Sequence, residues 1–222
     1  MSTQSQSFSL VAAPSTDIWR NPPTRDLNNV PTQSLTSRFP LSTFLSARIT
    51  FSGTWTHQFD QGGLLLVLSP KHDYQAAGDN AQEDKEAEAV KGKSKREKTR
   101  WLKTGVEFFE GKRNIGTVGT DTWSDWSLYP VSPSSAEEVT VEVRRESGVN
   151  GQSLWVYWLG GEGEEGERER EKKVAVREVA WVFAEEEEWE VGVEAYAARP
   201  AGVEGVEGGL EVRFWGAGVE RL

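Results

Sequence analysis

The hydrophobic positions of this chain recur mostly at every second residue. Leu41 to Phe51 carries Leu45, Ala47, Ile49 and Phe51 against Ser46, Arg48 and Thr50, the alternation of a half-buried strand. Leu64-Leu65-Leu66-Val67-Leu68 follows Asp60-Gln61-Gly62-Gly63 and is apolar on both faces, as a central strand is. Arg100 to Phe109 predicts a strand with two unlike faces. Leu102, Thr104, Val106 and Phe108 point one way, and Trp101, Lys103, Gly105, Glu107 and Phe109 the other. Trp123-Ser124-Asp125-Trp126-Ser127 predicts a second aromatic-rich strand or turn. Further strands are expected at Val139–Val143, Leu154–Leu159, Val174–Phe183, Trp189–Tyr196 and Leu210–Trp215, the last after a glycine-rich loop from Gly202 to Gly209.

Between these stretches the pattern breaks. Residues 1–16 are rich in Ser, Thr and Gln and are expected to form a mobile tail, with Trp19 the first anchor. Pro22, Pro23 and Pro31 predict an irregular segment over 20–40. Residues 69–99 and 160–173 read as charged loop insertions; within the first, Ala81–Val90 has the composition of a short helix. Short strands with turns and no βαβ rhythm predict an all-β fold, an antiparallel sandwich or jelly roll, with 17–222 as one domain.

Composition narrows the function. With no cysteine there is no disulfide framework, thiolate metal site or cysteine nucleophile. The start of the chain has no cationic region followed by an apolar run of signal length, and no Asn-x-Ser/Thr acceptor occurs, so a cytoplasmic location is expected. No apolar run approaches the ~20 residues that span a bilayer, so no membrane partner is expected. A net charge of −10 repels a phosphate backbone, which argues against nucleic acid. The basic run Lys91, Lys93, Lys95, Arg96, Lys98 and Arg100 reads as solvated loop.

Several motifs fail on context. Gly161-Glu162-Gly163-Glu164-Glu165-Gly166 has dinucleotide-loop spacing, but its glutamates would repel a pyrophosphate. Gly92-Lys93-Ser94 lacks the first glycine of a phosphate-binding loop, since Ala87 stands there. His57 and His72 have no neighbouring ligand set, so no metal is assigned, and no cofactor is expected. The nucleophile elbow Gly-x-Ser-x-Gly is missing.

What remains is one charged strand face and an excess of tryptophan, ten in all. Glu107 with Asp60 or Asp125 has the makings of an acid/base pair, yet the same-face neighbour of Glu107 is Lys103, roughly 13 Å away along an extended backbone. Each of the two charges is therefore expected to meet a residue of another strand, with Arg177 a candidate. A self-satisfied charge network and a binding site are both open readings. Trp101, Trp123, Trp126, Trp155, Tyr157 and Trp181 either line one groove as a stacking wall or fill the core between sheets.

Taken in order, Asp60–Leu64, Trp101–Glu107, Thr117-Val118, Ser124–Ser127, Val176–Val179 and Val191–Pro200 resemble the signature blocks of an uncharacterised concanavalin A-like family. That family includes the fungal regulation-of-enolase proteins and is related to the C-terminal concanavalin A-like modules of some β-xylosidases. The resemblance spans about residues 40–215 and implies a two-sheet jelly roll with a concave face. It has no agreed catalytic set. Asp60, Gln61, Lys103, Glu107, Asp125, Trp126 and Arg177 match motif positions.

The expected function is recognition of a small polar ligand, a sugar or sugar phosphate, or of a metabolic enzyme such as enolase. Lys103 and Arg177 would anchor it, Asp60, Gln61, Glu107 and Asp125 would hydrogen-bond it, and Trp123 or Trp126 would stack on it. The alternative is a hydrolase, isomerase or lyase with Glu107 as acid or base and Lys103 or Asp60 as partner.

Overall fold

The computed structural model of the protein describes residues 7–71, 99–132, 137–149, 151–160, 173–200 and 208–222. Among these, fifteen strands form two main antiparallel sheets and a small hairpin: β1 (Phe8–Ala12), β2 (Ile18–Asn21), β3 (Arg25–Asn28), β4 (Thr32–Ser34), β5 (Phe39–Pro40), β6 (Phe44–Gly53), β7 (Gln61–Pro70), β8 (Arg100–Phe109), β9 (Lys112–Thr120), β10 (Ser124–Pro130), β11 (Val139–Gly148), β12 (Gly151–Leu159), β13 (Lys173–Val179), β14 (Trp189–Ala198) and β15 (Leu210–Arg221). One sheet runs β1-β15-β6-β11-β12-β13. The other runs β10-β9-β8-β7-β14-β4, with β5 also on β14. The fold is the all-β, two-sheet antiparallel sandwich expected from strand alternation.

Alternation also sets the core. Ala47, Ile49 and Phe51 of β6, Val139, Val141 and Val143 of β11, and Val212 and Phe214 of β15 face Leu64, Leu66 and Leu68 of β7, Leu102 and Val106 of β8, and Val191, Val193 and Ala195 of β14. These side chains are nearly all removed from water, worth about 1.5–3 kcal/mol for each large one before chain entropy is subtracted. The other face of β7, β8, β9 and β14 carries a second, smaller apolar cluster of Ile18, Leu65, Trp101, Val118 and Tyr196. Ile18 belongs to β2, so the hairpin β2–β3 lies on the outer face of the second sheet.

Several expectations are corrected. Residues 8–12 are no mobile tail: they pair with Leu210–Phe214 of β15, because Phe8 stacks on Phe214 at 5.3 Å and ties the strand down; residues 1–6 lie outside the described residues. The segment 20–40 is not irregular throughout. Pro22 and Pro23 occupy the turn between β2 and β3, where no ladder donor is required, and β4 and β5 add short edge pairings on β14. The strand expected over Val174–Phe183 ends at Val179, and a turn carries Val182 and Phe183 back into the core. β9 escaped notice because Asn, Gly and Thr dilute its apolar positions; it pairs with β8 through the two-residue loop Glu110-Gly111, both at positive φ. The insertions expected at 69–99 and 160–173, and the helix within the first, fall mainly outside the described residues.

Candidate functional site

The faces of β8 lie as its alternation requires. Leu102, Val106 and Phe108 join the main core, and Trp101, Lys103, Gly105 and Glu107 look out from the second sheet. Register places Gly63, Gly105 and Gly116 side by side on β7, β8 and β9. This glycine row is the low floor from which Lys103 and Glu107 rise on either side. A methyl group at Gly116 would sit 2.4 Å from Glu107 Oε2 and 2.8 Å from its Cβ, so the carboxyl occupies space that only glycine leaves.

Above this floor is an open cavity of about 560 Å³ lined by Asp17, Trp19, Arg25, Gln58, Phe59, Gln61, Lys103, Glu107, Val118, Trp126 and Pro200. Lys103 Nζ donates to Asp17 Oδ1 at 3.1 Å, and Arg25 Nη2 lies 3.5 Å from Asp17 Oδ2. Glu107 Oε2 accepts the indole N–H of Trp126 at 3.0 Å. The Trp126 ring meets Phe59 and Phe109 edge-on, at 6.3 and 5.3 Å. Phe59 reaches that position from φ 67, a left-handed conformation uncommon for a bulky residue and held here by contacts around it. Gln61 Oε1 is buried at the cavity with no hydrogen-bond partner.

Burial governs the charges. It pushes the Lys103 ammonium below its ordinary pKa, and the fields of Asp17 and Glu107 only partly oppose it. It likewise raises Glu107, against the opposing pull of Lys103 and of the Trp126 hydrogen bond. Tyr196, which pairs with Gly63, is held well above 10.0 by burial and then by the negative fields of Glu107 and Asp17. Such a site can offer a carboxyl that gives up its proton less readily than usual, a buried lysine amine and aromatic faces to one small molecule.

Of the residues expected at a site, Gln61, Lys103, Glu107 and Trp126 come together, and the other four do not. Asp60 is fully buried behind the sheet, where Arg199 Nε and Nη2 reach its two oxygens at 2.8 and 2.9 Å and the backbone N–H groups of Thr56 and His57 add bonds at 3.0 Å. It is not a partner for Glu107. Arg177 does not meet Lys103 or Glu107 either. It clasps Asp125 and Ser127 of β10 from β13, joining the edges of the two sheets away from the cavity. Trp123 is 55% exposed and lines no part of the cavity. The six aromatics form no single wall: Trp101 is in the small cluster, Trp181 packs against the main core, and Trp155 stacks on Tyr157 on the six-stranded sheet.

Sequence reasoning missed Asp17, Trp19, Arg25, Gln58, Phe59 and Pro200. The only signal for the hairpin group was Trp19, read as an anchor, with Asp17 and Arg25 on either side of it. Among the described residues no group of three or more His, Asp or Glu could hold a metal, and no helix is long and apolar enough to cross a membrane.

A two-sheet sandwich with a walled cavity on the outer face of one sheet defines the class of protein. The chain belongs to the family described as protein of unknown function (DUF1349), which it matches over residues 1–221. An uncharacterized protein of Emericella nidulans, AN7484, is 38% identical over 198 residues, 89% of this chain and 80% of that one. A functionally unknown protein from Saccharomyces cerevisiae superposes with a TM-score of 0.56 at 18% identity, over 97% of this chain and 88% of that one, which is likeness of fold. A Lotus tetragonolobus seed lectin aligns over 96% of this chain and 94% of its own at 11% identity, with a TM-score of 0.38.

Proposed function

We propose that the cavity over the glycine row binds a small, uncharged polyhydroxyl ligand, a sugar. The observation that carries this reading is an unfilled acceptor at its base. Among the described residues Gln61 Oε1 is buried without a donor, beside the Glu107 carboxyl that accepts the Trp126 indole N–H. Leaving such a group unpaired costs about 1–3 kcal/mol, which a hydroxyl donor recovers on binding. A hydroxyl also accepts, so the same ligand satisfies the remaining protons of Lys103 and the guanidinium of Arg25. Trp126 and Trp19 supply faces for a ring. A phosphate only accepts and would meet Asp17 and Glu107, so the free sugar is favoured over the sugar phosphate.

Thermal unfolding with glucose, galactose, mannose and xylose, each with and without its phosphate ester, tests this. The free sugar is expected to raise Tm and quench tryptophan fluorescence, with both effects lost in Gln61→Leu. No response to any of the sugars counts against the reading. If the protein instead co-purifies with enolase, the partner suggested by its resemblance to the regulation-of-enolase proteins, the cavity is better read as part of a protein interface.

The raised pKa of Glu107 supports a second reading, turnover of the bound sugar with Glu107 as general acid. Product formation that disappears in Glu107→Gln while binding persists would favour it.

A further inference from the structure

We infer, resting on the sugar-binding reading, that the cavity receives the terminal unit of a saccharide end-on and excludes the interior of a chain. The outer face of a curved sheet would ordinarily offer an open trough across its strands. Here the hairpin β2–β3 stands in that trough. Ile18 is 1% exposed and packs with Leu65, Trp101, Val118 and Tyr196, so the hairpin is seated on the sheet through an apolar contact.

Polar tethers hold it to the β8 and β10 strands. Lys103 of β8 binds Asp17 at 3.1 Å. Arg20 Nη1 donates to the Thr99 carbonyl, just before β8, at 2.9 Å, and the Arg20 backbone N–H donates to Ser124 Oγ of β10 at 2.9 Å. Asn29, just past the hairpin, accepts from the Asp17 N–H at 2.8 Å and donates to the Ser15 carbonyl at 3.1 Å, which closes its base.

The opposite wall is equally fixed. Gln58 Oε1 accepts the Glu110 N–H at 3.0 Å, and Phe59 packs on Phe109 and Trp126. The unfilled acceptor Gln61 Oε1 and the Glu107 carboxyl line the resulting pit, between these walls. A ring that reaches them sits between the hairpin residues Asp17, Trp19 and Arg25 and the wall of Gln58 and Phe59. A chain continuing in both directions would have to displace either Ile18 and Trp19 or Phe59. The volume, about 560 Å³, is within the range of small-molecule pockets.

The test is a length series on the intact protein: glucose, galactose, mannose and xylose, with linear oligomers of each up to the hexasaccharide. Binding is followed by calorimetry, and the hexasaccharides are repeated with both terminal units blocked by bulky substituents. The expected result is a Kd per chain constant within about threefold from disaccharide to hexasaccharide, and loss of binding on blocking the ends. Affinity that rises about tenfold or more with length, or that survives blocking, overturns the end-on inference and leaves sugar binding standing. Absence of binding by every saccharide overturns both.

Discussion

Asp60, just before β7, and Glu107, on the adjoining β8, are buried carboxylates with opposite fates. Asp60 immediately precedes Gln61, the register partner of Glu107, and the Asp60 carbonyl accepts the Phe108 N–H at 2.9 Å. Alternation nevertheless sends the Asp60 side chain behind the sheet, where a guanidinium fork and two backbone N–H groups meet it. Glu107 goes to the outer face and receives one indole N–H. Lys103, the nearest cation on its own strand, gives its hydrogen bond to Asp17 of the hairpin instead. A carboxylate that receives four hydrogen bonds holds a fold together. One left partly unfilled at a cavity can still respond to a ligand, a proton or a mutation.

The contrast makes Arg199→Met the most damaging single change. It strands Asp60 without its partner in a fully buried site, and a loss of about 3–5 kcal/mol is expected by urea denaturation. A loss below about 1 kcal/mol would mean that Asp60 is not the structural carboxylate of the pair. Gly116→Ala comes next. Its methyl group collides with the Glu107 carboxyl, at an expected cost of about 1–3 kcal/mol. The cost should largely vanish in a Glu107→Ala background, and a double-mutant cycle without coupling would show that Glu107 yields freely.

Glu107→Gln should be mild at neutral pH and should remove a pH dependence. Because the folded pKa is raised, the native state binds more protons than the unfolded chain between the ordinary carboxylate pKa and the raised one. Stability therefore falls as pH rises through that window, and the penalty is complete above the folded pKa. The variant should flatten that part of a Tm-against-pH curve and, above it, equal or exceed the native protein in stability by about 1 kcal/mol. A steeper decline with pH in the variant would place the proton elsewhere.

Arg177→Ala should do least. Its partner Asp125 is 77% exposed, and such a pair contributes about 0–1 kcal/mol. Sugar binding should be unchanged, since the clasp lies outside the cavity; a loss of binding would return Arg177 to the site.

Much of this was written in the chain. Period-two alternation in β6, β7 and β8 determined two sheets, a core of Ile, Leu and Val, and the emergence of Lys103 and Glu107 on one face. It also determined that these two charges, four residues apart, would look elsewhere for partners. Tertiary structure alone decided which partners those were. Asp17 meets Lys103 across 86 positions of sequence and Arg199 meets Asp60 across 139, and no local pattern encodes pairings at such separation. It also decided that Asp125 and Arg177 serve the sheet edges, and that a hairpin built around two prolines would wall the outer face. Strand alternation specifies the side to which a residue points. What it finds there depends on how distant strands and loops close over that side, and that closure made a cavity above Glu107 and a filled ion pair around Asp60.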